Sequence, residues 1–238
     1  MCDAMCNDYR IAILRINAPA LSRTRPYTRI ALLVRDRCQA APYERFVVVL
    51  SIKEAPDRIV PSAFRRFARV PSSRTLNLLY AAGELRSVAL LSLELERLGI
   101  SAAGLNHSES GIFCAEDSSN SATNKVETKC LRQQLAEHLV VIVPGCLATI
   151  SDRAIVNRGP AGADLSAVLL AESLNALRCE FVTQVPGLGV GLSNAIEART
   201  VSYESGLDRA LSSGVIQKNV LDAALSGNIQ VVLTNFRE

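Results

Sequence analysis

No apolar run in this sequence is long enough to cross a bilayer. The longest, residues 47–50 and 139–143, fall far short of the roughly 20 residues a spanning helix needs. A charged-then-apolar leader is missing too, so the chain is expected to be soluble and cytoplasmic, without a membrane partner. Histidine is nearly absent. His107 and His138 are isolated and read as a loop histidine and a helix C-terminal histidine. Ser108 has no His/Asp partner pattern, so a hydrolase triad finds no support. The seven cysteines recur at no fixed spacing. Cys2 and Cys6 lie close together near the terminus, but no second ligand pair follows, which argues against zinc and against a disulfide framework. An odd number of unpatterned thiols suits a reducing compartment. Aromatics make up 5% of the chain, and the densest basic cluster, Arg65, Arg66, Arg69 and Arg74, is scarcely interleaved with them. With a net charge of +3, that cluster reads as a solvated helix face rather than a nucleic-acid footprint.

What is present is an α/β pattern. Length (238 residues) and an apolar share of 49% suit one folded domain over residues 1–238, with residues 1–9 as a flexible N-terminus. Apolar runs alternate with amphipathic stretches, as in a mainly parallel sheet. Strands are expected at residues 10–14, 46–50, 101–105, 139–143, 180–183 and 229–234. The β-branched run at 46–50 reads as buried on both faces. Residues 30–34 fit either a short strand or a helix end. Helices are expected at 83–98, stopped by Gly99, and at 128–138, 164–177, 203–212 and 220–226, with Gly227 as a C-cap. The polar stretch SSNSATN, residues 118–124, reads as a surface loop.

The most informative segment is RGPAGADLSAVLLAESLNALRCEFVTQVPG, residues 158–187. It combines a glycine-containing turn, an apolar helix and a buried strand closing in a second turn. This segment resembles the GRGGSD loop, helix and TDVDG strand end of the aspartate kinases, in the amino-acid kinase family. Arg158, Gly159, Gly162 and Asp164 are kept, with Pro160 and Ala161 as apparent insertions. Five shorter segments follow the family in order. Ala82-Gly83-Glu84 resembles its SGE segment, LNHSESGI (105–112) the stretch before its mobile lobe, and VIVPGC (141–146) its VVVxGF turn. Ser202-Tyr203-Glu204 resembles ISYEE, and residues 229–236 the terminal strand. The resemblance implies a three-layer α/β/α sandwich with an open, mainly parallel sheet. Family members continue into regulatory ACT domains, and none is expected within these residues.

In that family the chemistry is phosphoryl transfer from ATP to a carboxylate, which asks a protein to position two anions and offset developing charge. The ATP side of this chain departs from the pattern. Arg15 stands at the catalytic lysine, followed by Ala18 and Pro19 where a phosphate cradle uses glycines. Ser51 is kept in the second turn, but Glu54 follows. Gln184 and Pro186 replace both acids of the TDVDG turn, leaving Thr183, Gln184 and Gly187 as its nucleotide-binding positions. Gly214 replaces the phosphate lysine, with Lys218 four residues on as a substitute. An arginine offers a planar fork that does not reproduce a lysine's geometry. A solvent-facing arginine at a strand end is the alternative reading of Arg15.

The amino-acid side is better kept. By resemblance Glu84 receives the substrate's amino group, Arg158 clamps its carboxylate, Ser51 adds a substrate contact, and Arg15 and Asp164 stand at catalytic positions. Asp164 also fits an N-cap or first-turn acid, and Glu84 and Arg158 also fit surface ion pairs. The resemblance thus implies an aspartate-kinase-like protein with catalysis weakened or lost, weak Mg-ATP binding, and an acidic amino acid or related carboxylate as ligand. A non-catalytic relative that binds an amino acid or a partner subunit is the rival, and an altered crevice for another anion or acyl group the third reading. Residues 90–98 offer an apolar helix face for a homodimer.

Overall fold

The computed structural model describes residues 9–17, 25–51, 72–114, 125–150, 154–159, 161–183 and 217–235. The chain enters through β1 (Arg10–Asn17), α1 (Pro26–Ala40) and β2 (Glu44–Ser51), then runs through the long α2 (Ser73–Arg97) into β3 (Ala102–Gly104). Short strands β4 (Ile112–Phe113) and β5 (Lys125–Val126) precede α3 (Lys129–Glu137) and β6 (Val140–Pro144). Next come β7 (Leu147–Thr149), β8 (Ile155–Asn157), α4 (Gly162–Leu174), β9 (Arg178–Thr183), α5 (Lys218–Ser226) and β10 (Val231–Asn235).

Six strands form one sheet in the order β10-β9-β1-β2-β6-β3, with every pairing parallel. Because side chains alternate across a strand, successive residues split between two cores. Leu14, Val48 and Ile142 pack on α1 and α2 with Ile30, Val34 and Leu91. Ile13, Val47 and Val141 face the other way, onto Leu131 and Leu135 of α3 and Val168 of α4. These strands are apolar on both faces because helices cover both. The result is the expected three-layer α/β/α sandwich.

Local chemistry explains where elements differ from expectation. Residues 30–34 are helical, within an α1 that carries a proline in its first turn, where the missing N–H costs nothing. The helix expected from Gly83 begins at Ser73. Ser72 caps it by accepting from the Thr75 backbone N–H, and straight-chain residues such as Leu76, Leu78 and Leu79 carry it forward. Gly99, at φ +73°, follows its end as expected. The helix expected up to residue 177 stops at Leu174, since Asn175 takes the left-handed conformation, φ +52°. Gly227 follows α5, although the left-handed residue there is Asn228. The expected helix at 203–212, the polar stretch at 118–124 and Arg65, Arg66 and Arg69 lie outside the described residues.

A second sheet, β5-β4-β7-β8, was not anticipated, because strands of two or three residues leave no periodic signal. It has one function for the site: β8 ends at Asn157 and so delivers Arg158. The turn between β6 and β7 is held against the start of α4 by two glycines. A Cβ on Gly145 would lie 2.7 Å from the Ala163 Cβ and 3.0 Å from Val49 Cγ1. A Cβ on Gly162 would lie 2.7 Å from the Cys146 carbonyl oxygen. Backbone and helix meet there at a distance only glycine permits. Gly145→Ala is therefore expected to destabilise the fold by about 1–3 kcal/mol, through overpacking. Urea unfolding measures it, and a loss below about 0.5 kcal/mol would show that the contact can relax.

Candidate functional site

In an open parallel sheet, ligands bind beyond the carboxyl ends of the strands. Here β1, β2 and β6 end there at Asn17, Ser51 and Pro144, and α4 begins against them. Arg15 lies opposite Val49 and Phe181, on the α4 face of the sheet. It is not solvent-facing: 3% of it is exposed. Its Nε donates to Asp164 Oδ1 at 2.6 Å, and its Nη1 donates to the Ile16 carbonyl. Asp164 occupies the first turn of α4, whose N-cap is Ala161, so the acid is not the cap. It complements the helix N-terminus while neutralising the arginine. Both side chains of this pair are buried, at 4% and 11% exposure.

Glu84 projects from α2 and is buried as well, which removes the surface ion-pair reading. Its Oε1 accepts from the backbone N–H groups of Gly145 and Cys146, at 3.2 and 2.8 Å. Its Oε2 faces His107 Nε2 at 3.0 Å. A carboxylate thus holds the β6–β7 turn from below by two charge-assisted bonds. Ser51 Oγ lies 2.8 Å from Cys146 Sγ. Burial, with the Glu84 charge next in weight, pushes the Cys146 thiol up to about 12, so it stays protonated at neutral pH.

Arg158 reaches the same turn from the opposite side. Its backbone N–H donates to the Cys146 carbonyl, and its Nη1 donates to Ser166 Oγ at 2.8 Å. That hydroxyl also lies 2.8 Å from the carbonyls of Gly145 and Gly162. The Arg158 Nη2 is buried and has no hydrogen-bond partner. Burial pushes its guanidinium below the ordinary arginine value, partly offset by the Cys114 sulfur. The residue as a whole is half-buried, and its unpartnered N–H is a position open to a water or an anion.

Among the residues expected to form the site, Arg15, Ser51, Glu84, Arg158 and Asp164 converge on this turn and the start of α4. Lys218 opens α5 as an exposed residue, with no side-chain ion pair or hydrogen bond to the described residues. Thr183 closes β9, in register with Asn235. Gln184 and Gly187 lie outside the described residues, as do Ala18, Pro19 and Glu54. Among the described residues no group of three or more His, Cys, Asp or Glu side chains could hold a metal ion. Sequence reasoning missed two members. His107 is no isolated loop residue but the partner of Glu84, and Ser166 links Arg158 to the turn. Ser166 stands two residues after Asp164 in α4, a spacing that does not place the two on one helix face, and Arg158 lies before the helix, so no pattern in the sequence marked it.

A parallel sheet between two helical layers, with a buried ion pair joining its central strand β1 to the start of α4, defines an α/β fold of the open-sheet kind, whose ligands bind beyond the strand ends. The chain belongs to the amino acid kinase family: that family's model matches residues 23–235. It is 31% identical over 192 residues to aspartokinase 2 of Bacillus subtilis (strain 168), which covers 79% of this chain and 46% of that protein. An aspartokinase of Thermus thermophilus is 32% identical over 176 residues, covering 74% of this chain and 43% of its own length. The chain therefore spans less than half of these relatives. In fold it is similar to the aspartate kinase from Synechocystis, with a TM-score of 0.73 at 23% identity, over 95% of this chain and 38% of that one. E. coli aspartokinase III, in complex with aspartate and ADP, gives a TM-score of 0.65 at 17% identity, over 95% of this chain and 62% of its own. No helix among the described residues is long and apolar enough to cross a membrane.

The Arg15–Asp164 pair yields a stability test. Arg15→Ala leaves a buried carboxylate unpaired and is expected to cost about 3–5 kcal/mol, whereas Arg15→Met combined with Asp164→Leu should recover most of that loss. Denaturant unfolding of wild type, single and double variants checks it. Equal losses in the single and double variants would mean the pair is not acting as a pair.

Proposed function

We propose that this chain is an aspartokinase-like protein whose phosphoryl transfer is weakened or lost, and which retains a binding site for the carboxylate of an acidic amino acid or a related anion. One asymmetry carries the reading. The cation at the catalytic-lysine position, Arg15, is spent on Asp164 and a backbone carbonyl. The cation at the carboxylate position, Arg158, keeps a buried N–H group unpartnered. Phosphoryl transfer needs positive charge aimed at the transferring group, and losing one such stabiliser costs about 100- to 1000-fold in rate. A guanidinium already bonded through Nε and Nη1 at 3% exposure is poorly placed to supply it. Arg158 is the opposite case, since a planar fork with one free arm suits a carboxylate oxygen. A working kinase of the same substrate class is the alternative, and it would require Arg15 to leave Asp164 when nucleotide binds.

The test is calorimetry with Mg-ATP and with aspartate-class carboxylates. Mg-ATP is expected to bind no tighter than about millimolar, roughly −4 kcal/mol. Arg158→Ala should weaken carboxylate binding by more than about tenfold, in line with a truncated charge pair. Micromolar Mg-ATP affinity, or carboxylate binding indifferent to Arg158→Ala, would contradict the proposal.

We also propose that the chain forms a homodimer through α2, although not through the apolar face expected at 90–98, whose Leu91 and Leu95 are buried in the core. Leu78, Ala82, Leu85, Ala89 and Leu93 are all exposed and fall on one helical stripe. The order of residue types, Leu, Ala, Leu, Ala, Leu, reads the same in both directions, with Leu85 just off the centre. A two-fold axis between positions 85 and 86 would set Leu78 against Leu93 of a second copy and Ala82 against its Ala89. The same axis brings exposed Arg74 near the second copy's Glu96. Such self-complementarity is what an isologous pair requires. A standard interface of about 1,600 Å² is expected. Light scattering should report a dimer, and Leu85→Glu with Leu93→Glu should release monomers; a monomeric wild type at micromolar concentration would remove the proposal.

A further inference from the structure

We infer that His107 closes the Glu84 carboxylate to ligands, so that the site selects a plain carboxylate over an amino acid. The inference rests on Arg158 as the anion-binding group and adds the ligand class. Binding an ammonium group requires an acceptor within reach, in a buried site usually an unpaired carboxylate. Two carboxylates stand at the β6–β7 turn and the start of α4. Asp164 is neutralised by Arg15 at 2.6 Å. Glu84 spends Oε1 on two backbone N–H groups and turns Oε2 to the His107 imidazole at 3.0 Å. The side chains of His107 and Glu84 are 3% and 4% exposed, which leaves no route for an ammonium to the remaining lone pairs.

The backbone that carries the imidazole is also held in place. Ser110 Oγ donates to the His107 carbonyl at 2.6 Å. On either side, the Asn106 backbone N–H donates to Glu109 Oε2 at 2.8 Å and the Glu109 N–H to Asn106 Oδ1 at 3.0 Å. These bonds fix the backbone of the 106–110 turn, and with it the point from which His107 reaches Glu84. A neutral imidazole with its proton on Nε2 suffices to donate to Glu84. Among the described residues the site thus presents one buried N–H donor without a partner, on Arg158, while Glu84 is enclosed with His107 and Asp164 is held by Arg15 through Oδ1. That combination fits an anion that carries no adjacent ammonium.

Succinate and aspartate differ by one ammonium group and are the probes. Calorimetric titration of the wild-type chain is expected to give succinate an affinity roughly tenfold above aspartate. His107→Ala should move that ratio by about tenfold or more towards aspartate, while His107→Gln, which keeps an N–H donor for Glu84, should preserve it. If His107→Ala does not fold, the wild type and His107→Gln decide the matter. Aspartate binding as tightly as succinate to wild type overturns the inference; if Arg158→Ala still abolishes that binding, the anion site itself stands. No binding of either ligand overturns both.

Discussion

The ion pair between Arg15 and Asp164 is the constraint on which the rest of the site depends. It ties the central strand β1 to the first turn of α4, with both side chains nearly dry. Buried pairs of this kind add little net stability over apolar replacements, but losing one partner is expensive. The pair therefore acts as a registration device: α4 must begin where Asp164 meets Arg15. With α4 so placed, Gly162 lies under the Cys146 carbonyl, and Gly145 packs on Ala163. Two backbone segments then approach more closely than any side chain would allow. The site follows from that closeness.

Around this contact the remaining charges sort by what they hold. Glu84 grips the turn through two backbone N–H groups, and His107 completes the carboxylate. Ser166 receives one arm of Arg158, leaving the other free. Each carboxylate in the group has an internal partner, whereas one arm of Arg158 has none among the described residues. Under the proposed function, the arm left open on Arg158 is the one that takes a carboxylate. The family membership and the altered arrangement are compatible, because function resides in the site rather than in the scaffold.

Much of the scaffold was legible in the sequence. The continuous runs around Val47 and Val141 announced buried parallel strands, and the glycine after Arg97's turn announced a helix end. Less legible were the two-residue strands β4 and β5, where pairing to neighbours rather than any internal period creates the element. The start of α2 was also hidden, since Gly83 looked like a boundary although it lies buried in mid-helix. In the site, Arg15, Glu84, Arg158 and Asp164 were identified by position, but their partners were not. A one-dimensional pattern shows that Glu84 and Arg15 exist; it does not show that His107, 23 residues from Glu84, or Asp164, 149 from Arg15, claims the same atoms.

The central claim is that the cation on β1 is locked and the one after β8 is open. A crystal structure of the chain grown with Mg-ATP and a dicarboxylate together tests it most directly. The account predicts a carboxylate oxygen on Arg158 Nη2, with Arg15 still bonded to Asp164. Arg15 turned from Asp164 onto a phosphate oxygen, with Arg158 unoccupied, would contradict it.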